Sequence, residues 1–537
     1  MGLLDVVNRA GLLDPRRAPS LAAAVARWGP TAAAPFAASA LADSRAIAVV
    51  DDHGELSFGE LDRQSTRLAE GLHRIGMRRG DHLGVACRNH RDFVELTIAA
   101  AKAGVGVVYL NTSSAAPQLA DVMTRERITA LAIDRALLHL VDLDAWSTPV
   151  VVADLDGVAS SLPPDDLTDD LLDDLLDDRV HTIASVRNGG GFRLPLRASL
   201  PIPPVLLTSG TTGTPKGARR SGRVDPNAAT GLLDRIPLRH DDVIAITSPL
   251  FHAWGLAQMI LASTLGSTIA LTATFDAETT LTQIERERVT VLVVVPAILQ
   301  RLLGSAALES TDLSSLRIVA SSGSALPVPV VKEWMDRVGP NLYNLYGSTE
   351  VGQATLATPD DLLVDPATAG RVLAGSTVAI LDPSGRPVGA GTLGRIFVGN
   401  GAQFDGYTGG GGKEVVDGLM STGDVGHLTG DGLLFVTGRA DDMIVSGGEN
   451  VFPQEVEDLL LAHPAIDDVA VVGVDDERLG QRLVVHAVKA TGARISSDAV
   501  KKYVSDNLAR HKTPRDVYFV DEVPRTATGK IRRNHLT

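Results

Sequence analysis

Apolar positions in this chain fall into short continuous runs that alternate with stretches of helical spacing. From Ala46, AIAVVDD reads as a strand. After a turn, Ser57 with Glu60 three residues later has the form of a capping box, and Leu61, Leu68 and Leu72 recur at helical spacing to about Ile75. Strand-like HLGVAC, helix-like FVELTIAAAKAG and strand-like VGVVYLN continue the alternation, which predicts parallel βαβ units with ligands bound at strand ends. The uncharged stretch Val243 to Phe275 is long enough to cross a bilayer, yet Pro249, His252 and several Ser, Thr and Gly residues divide it into VIAITS, GLAQMILASTL and STIALTA. That division predicts a buried α/β unit. VTVLVVVP (289–296), a helix and the strand Leu316 to Ala320 follow in the same style. Residues 376–400 look antiparallel, with STVAILD and GRIFVGN on either side of the turn Pro383-Ser384-Gly385.

After Gly438-Arg439 the pattern changes to a helix, two strands and a further helix near 497–510, the mark of a small α+β domain. The expected architecture is therefore α/β. A large N-terminal domain of βαβ subdomains plus a small antiparallel barrel-like part (1–440) precedes a small mobile α+β C-terminal domain (441–537). Residues 1 to about 45 are Ala-rich and punctuated by Pro15, Pro19, Pro30 and Pro35, as short helices over the body would be. The period-four block Asp165 to Asp178, DDLTDDLLDDLLDD, reads as a solvated amphipathic helix.

Composition narrows the function. A chain of 537 residues exceeds one hydrophobic core. Its single cysteine, Cys87, provides no disulfide framework and no cysteine-based metal cluster, and together with the absence of a secretory pattern this leads us to expect a cytoplasmic protein. A formal net charge of −15 argues against a general nucleic-acid surface. No transmembrane segment is expected, and peripheral membrane contact by the N-terminal segment stays open.

The richest candidate chemistry is LLTSGTTGTPKG, Leu206 to Gly217. Gly210, Gly213 and Gly217 let backbone N–H groups turn toward an anion, Thr208, Ser209, Thr211 and Thr212 add hydroxyls, and Lys216 adds a charge. A flexible linker has a similar composition, but a linker needs neither the preceding apolar run Val205-Leu206-Leu207 nor the stiffening Pro215. The loop has no Gly-Lys-Ser/Thr ending, so it is not a Walker A loop. It resembles, almost letter for letter, the signature loop of the adenylate-forming (ANL) enzymes, which include the AMP-dependent acyl-CoA synthetases.

That resemblance extends over about residues 46–537, with the main motifs in family order. Asn344 to Glu350, NLYGSTE, resembles the YGxTE motif, which implies Asn344, Tyr346 and Gly347 at the nucleotide, Tyr346 as a face for adenine, Thr349 at the α-phosphate and Glu350 as an Mg²⁺ ligand. Gly323, Ser324 and Ala325 match the segment lining adenine's other face. Asp424 of STGD, with Arg439, is implied at the ribose. PRTATGK matches the C-terminal catalytic motif and makes Lys530 the catalytic cation. His252 falls where the family has an aromatic or histidine gate to the acyl pocket, Asp441 is the implied hinge, and Gly447 and Gly448 are the implied passage for the pantetheine of coenzyme A. The resemblance implies ATP, Mg²⁺ and coenzyme A as cofactors and co-substrates, and a ligase that converts a carboxylic acid, expected to be a medium- to long-chain fatty acid, to acyl-AMP and then acyl-CoA. A fatty acyl-AMP ligase serving a carrier protein and a non-catalytic acyl-CoA or nucleotide-binding module are the alternatives. Two departures from the family pattern are Gly418-Leu-Met-Ser421, where many members carry an aromatic, and Gln481, where a Gly-Glu pair is common.

Overall fold

The computed structural model describes residues 17–153, 179–189, 202–208, 216–220, 226–446, 449–476 and 478–536, with a few positions before Arg17; for 226–229 it describes the backbone alone. The acidic block 165–178, the loop residues Ser209, Gly210, Thr211, Thr212 and Gly213, and the pair Gly447 and Gly448 lie outside the described residues.

Three sheets organise the chain. The fourteen-stranded sheet has a parallel half formed by Ile47–Asp51, Thr268–Ala270, Val243–Ile246, Val291–Val294, Ile318–Ser321 and Leu342–Ser348. Beyond Leu342–Ser348 it turns antiparallel through Gly352–Ala357, Gly370–Val372, Leu433–Arg439, Leu419–Leu428, Gly394–Gly399 and Thr377–Leu381. The eight-stranded sheet runs parallel from Val180–Thr182 through Val150–Ala153, Ala130–Asp134, His82–Ala86 and Gly106–Tyr109 to Val205–Thr208. Two antiparallel edge strands, Lys216–Arg219 and Gly406–Tyr407, complete it. The third sheet, of five strands, is drawn entirely from residues 444–519.

The local rules that the sequence suggested operate as expected. Ser57 caps the helix Phe58–Arg74, its Oγ accepting from Glu60 N at 3.3 Å while Glu60 Oε2 accepts from Ser57 N at 3.0 Å. The uncharged stretch resolves into a strand, the helix Ala253–Leu265 and a strand, all within the core, and among the described residues no helix is long and apolar enough to cross a membrane. The helices Arg17–Trp28 and Ala33–Ala42 lay Trp28, Phe36 and several alanines on that core.

Helices packed between the two large sheets form one continuous apolar core, which contains Phe58, Leu68, Phe93 and Ile98 alongside Ile244, Trp254 and Ala320. Asn89 pins the sheets to each other. Its Nδ2 donates to the carbonyls of Ile246 (3.1 Å) and Ser248 (2.9 Å), and its Oδ1 accepts from Leu250 N at 2.9 Å. Cys87 is buried beside His90 and Asp134, whose side chains pair at 2.8 Å. With the sheets fixed in this way, the carboxyl ends of Val205–Thr208, Ile318–Ser321 and Leu342–Ser348 carry the motif-bearing loops.

Candidate active site

The described ends of the 206–217 segment lie on two antiparallel strands. Thr208 pairs with Lys216, Leu207 with Gly217 and Leu206 with Ala218, so the loop begins and ends on adjacent strands. Gly217 has no room for a side chain, because a Cβ there would lie 2.7 Å from Thr408 Oγ1 and from Val205 Cγ1. Lys216 is exposed, with Nζ 5.3 Å above the ring of Tyr407. The Tyr407 hydroxyl donates to Glu350 Oε1 at 3.1 Å, and Ser348 Oγ donates to Glu350 Oε2 at 3.0 Å. Both carboxylate oxygens are thus held from one side and keep lone pairs for another partner. A carboxylate oriented in this way fits a hard divalent cation such as Mg²⁺.

Gly347, ahead of Thr349 and Glu350, is required by close backbone approach, since a Cβ would sit 2.2 Å from Gly352 O. Asn344 lies earlier on the same strand, in register with Ser321 and Ala357. Tyr346 donates its hydroxyl to Asp424 Oδ2 at 2.6 Å. It fixes the carboxylate implied at the ribose.

Asp424 lies opposite Arg439 in the pairing of Leu419–Leu428 with Leu433–Arg439, and Arg439 Nη1 approaches Asp424 Oδ1 at 3.4 Å. Burial raises the Asp424 pKa, opposed by the Tyr346 hydrogen bond and by the charges of Arg439 and Lys530. Burial, followed by the Asp424 charge, raises the Tyr346 phenol well above its ordinary value, so it remains a donor. On its other side Arg439 grips Asp441 with two hydrogen bonds, of 3.0 and 3.1 Å.

The Lys530 loop closes the cleft. Gly529 N donates to Thr526 O and Thr526 N to Lys530 O, both at 2.8 Å. Arg525 braces this turn by donating to Gly529 O (2.7 Å) and pairing with Asp468 (2.6 Å). Gly529, at φ +80°, adopts the left-handed conformation that glycine tolerates and lies so close to Ala297 that a Cβ would be 2.9 Å from its side chain. The turn Gly323-Ser324-Ala325 sits against the same loop, since a Cβ on Gly323 would be 3.9 Å from Thr528 Cβ and one on Gly529 3.8 Å from Ser324 Oγ. Gln300 adds a bond from the large body to the small sheet, Nε2 to Asp467 O at 2.7 Å.

Lys530 itself keeps solvent access, and among the described residues its ammonium makes no hydrogen bond. The surrounding protein desolvates it and lowers its pKa, while Glu350 and Asp424 oppose the shift. His252 precedes the helix Ala253–Leu265, lies with its ring tilted at 46° and 4.5 Å from that of Phe251, and leaves Nε2 without a partner among the described residues. Burial and, second, the Lys530 charge push its pKa down to about 4, so the ring is neutral at neutral pH. Trp254 is committed to structure, with Nε1 donating to Val294 O at 3.1 Å.

Among the described residues, the candidates from separate motifs therefore converge on one cleft: Lys216, Tyr346, Thr349, Glu350, Asp424, Arg439 and Lys530, with the 323–325 turn and His252. Three participants escaped the sequence reading. Tyr407 and Ser348 orient Glu350, and Arg220 donates from Nη2 to Thr349 O at 2.8 Å. Gln481, noted above as a departure, accepts from Val445 N at 3.0 Å and so supports the hairpin whose strands Ile444–Ser446 and Glu449–Val451 flank 447–448.

A fold and cleft of this kind define a nucleotide-activating enzyme, and comparison with known proteins agrees. The AMP-binding enzyme family matches residues 36–408, and the C-terminal domain of AMP-binding enzymes matches 455–530. The chain belongs to this family, within the adenylate-forming superfamily. It is 33% identical over 490 residues to an indoleacetate–CoA ligase of Aromatoleum aromaticum, covering 90% of this chain and 92% of that protein. It is 32% identical over 506 residues to a feruloyl-CoA synthase of Amycolatopsis, covering 90% and 93% respectively. A benzoate CoA ligase structure from Burkholderia xenovorans superposes with a TM-score of 0.79 at 25% identity, covering 94% of this chain and 99% of that one.

Proposed function

We propose that this protein is an AMP-forming ligase that joins a ring-bearing carboxylic acid to coenzyme A. The observation that carries the chemistry is the presentation of Lys530 into the cleft occupied by Glu350, Asp424 and His252. In the first half-reaction a carboxylate oxygen of the acid attacks the α-phosphorus of ATP, and the bond to the leaving pyrophosphate breaks. Two anions approach each other in that step. A lysine about 4 Å from them contributes on the order of 4 kcal/mol at an effective dielectric near 20. His252, being neutral, can border the incoming acid without holding it as a counter-ion. Asp424, set by Tyr346 and Arg439, offers two acceptors to a ribose diol, and the phosphate hairpin with Lys216 faces the leaving group. Glu350 is the residue that would hold Mg²⁺, which supplies charge neutralisation on the phosphates when bound.

In the second half-reaction the thiolate of coenzyme A attacks the acyl carbon and AMP leaves. For this step the small domain, 441–537, is proposed to turn about Asp441 and bring Gly447 and Gly448 to the cleft in place of Lys530. The pattern of the chain alone suggested a fatty acid. The relatives named above carry indole, phenylpropenoid and benzoate acids in their names, and this favours a ring. Pyrophosphate release measured over a panel of aromatic, alicyclic and straight-chain acids, with and without coenzyme A, tests the reading. Release should be fastest with a ring-bearing acid, and thioester should accumulate only with coenzyme A. Preference for a straight chain would overturn the ring assignment, and no release with any acid would overturn the ligase.

A further inference from the structure

Arg220 has no role in the scheme above, yet it spans the two halves of the nucleotide cleft. It follows the strand Lys216–Arg219, the outgoing arm of the phosphate hairpin in the eight-stranded sheet. Its guanidinium crosses to the other sheet, where Nη2 donates to the carbonyl of Thr349 at 2.8 Å. Its charge faces Glu350 and Asp405. None of the described carboxylates forms an ion pair with it, and its Nε has no partner among the described residues. An arginine placed only to stabilise the fold at this depth would be expected in a paired, bidentate contact such as Arg91 makes with Asp51. Arg220 instead holds a backbone carbonyl next to the carboxylate that faces the phosphates.

This arrangement addresses a geometric problem. The phosphate hairpin and the Thr349-Glu350 turn belong to different sheets, and both must contact one triphosphate within a fraction of an ångström. Tyr407 provides one link between them, through the Glu350 carboxylate. A link through the carboxylate alone would let the backbone of the turn swing. Arg220 fixes that backbone and leaves the lone pairs of Glu350 free.

We propose that Arg220 is a positioning residue for adenylation, which ties the Thr349-Glu350 turn to the phosphate hairpin so that Glu350 reaches the nucleotide-bound divalent cation. The proposal rests on the adenylation reading given above. Its test uses Mn²⁺ as a spectroscopic probe, titrated by electron paramagnetic resonance into the full chain together with a non-hydrolysable α,β-methylene ATP analogue. Outer-shell partners of metal ligands typically contribute 10–100-fold to affinity, so R220Q is expected to weaken Mn²⁺ binding by about tenfold and R220K by about threefold. In parallel, R220Q should slow pyrophosphate release by about tenfold while converting supplied acyl-AMP to thioester at the wild-type rate. Wild-type Mn²⁺ affinity in R220Q, or equal loss of both half-reactions, overturns the proposal. If R220Q does not fold, R220K decides: weakened Mn²⁺ binding with an unchanged melting temperature supports the role, and unchanged binding overturns it. Failure of the wild-type protein itself to bind Mn²⁺ with the analogue would overturn the adenylation reading, and this proposal with it. Wild-type binding together with an unaffected R220Q overturns the proposal alone.

Discussion

Two lysines in this protein have a lowered pKa, and they differ in how their ammonium groups are held. Lys102, on the helix Arg91–Ala103, has no exposed side-chain surface. Its ammonium reaches Asp62 Oδ1 (2.7 Å), Asp62 O (2.8 Å), Thr66 Oγ1 (2.9 Å) and Ser65 Oγ (3.0 Å), all on the facing helix Phe58–Arg74, and lies 5.3 Å from the ring of Trp28. Lys530 stands in the cleft with solvent access, faced by Glu350 and Asp424, and among the described residues its ammonium has no hydrogen-bond partner. Burial lowers the pKa of Lys102, and the protein crowded around the exposed Lys530 acts in the same direction. A shifted pKa therefore does not separate scaffold from site. Saturation does. Where neighbours occupy every donor of a buried cation, the group holds elements together; where donors stay free and opposite charges wait at a distance, the group is poised for a ligand.

Removing each cation should break this comparison if it is wrong. The larger effect is expected for Lys530→Ala. Adenylation should slow by about 10² to 10³, corresponding to roughly 3 to 4 kcal/mol of transition-state stabilisation. The melting temperature should hold, and supplied acyl-AMP should still become thioester. Single-turnover pyrophosphate release and thermal melting check both halves. A variant that melts early and loses both half-reactions equally would return Lys530 to the scaffold.

Lys102→Ala is the converse. It deletes a fully buried four-carbon stem and leaves the hydroxyls and carbonyl on the facing helix without their cation, at a cost of about 2 to 3 kcal/mol. Denaturant unfolding should report that loss. The rate of pyrophosphate release per folded molecule, measured well below the new melting temperature, should match wild type. A kinetic defect without a stability defect would contradict the saturation argument.

Much of the fold was legible because local rules and tertiary packing agree. The Ser57 and Glu60 capping box, the βαβ alternation and the division of 243–275 all follow from spacing and turn chemistry that act within a few residues. The motif residues could be named from their letters through the family resemblance, and the structure gathers the described ones at one cleft. What could not be read was reach. Tyr407 belongs to a two-residue strand with no periodicity of its own, and it meets Glu350 only because Gly406–Tyr407 pairs with the phosphate hairpin. Arg220 meets Thr349 across two sheets at a sequence separation of 129. Lys102 sits among alanines in AAAKAG, and only the packing of the facing helix shows that its charge is enclosed.

Asp458 sharpens the comparison, because it is an incompletely compensated charge far from the phosphate hairpin. It lies on the helix Pro453–Leu461 of the small body, where Gln454 Nε2 donates to its Oδ1 at 2.8 Å and Glu457 and Glu455 are neighbouring like charges. Burial raises its pKa from 3.8 to about 6, the two glutamates add to the rise, and the Gln454 hydrogen bond opposes it. The folded protein therefore keeps this proton up to about pH 6, whereas the unfolded chain releases it near pH 3.8. The stability linked to it is fully present below pH 3.8 and is lost as pH rises through about 6. Asp458→Asn removes the titration and keeps the shape. Allowing for solvent near the group, it should stabilise the protein by about 1 kcal/mol at neutral pH and have almost no effect near pH 3.8. Urea midpoints for the two proteins should accordingly converge on acidification, separate as pH rises from about 3.8 to about 6, and keep a constant gap above that. An equal gap at every pH would mean that the carboxylate is already compensated by its surroundings, and saturation would then have to be judged over a wider shell than direct hydrogen bonds.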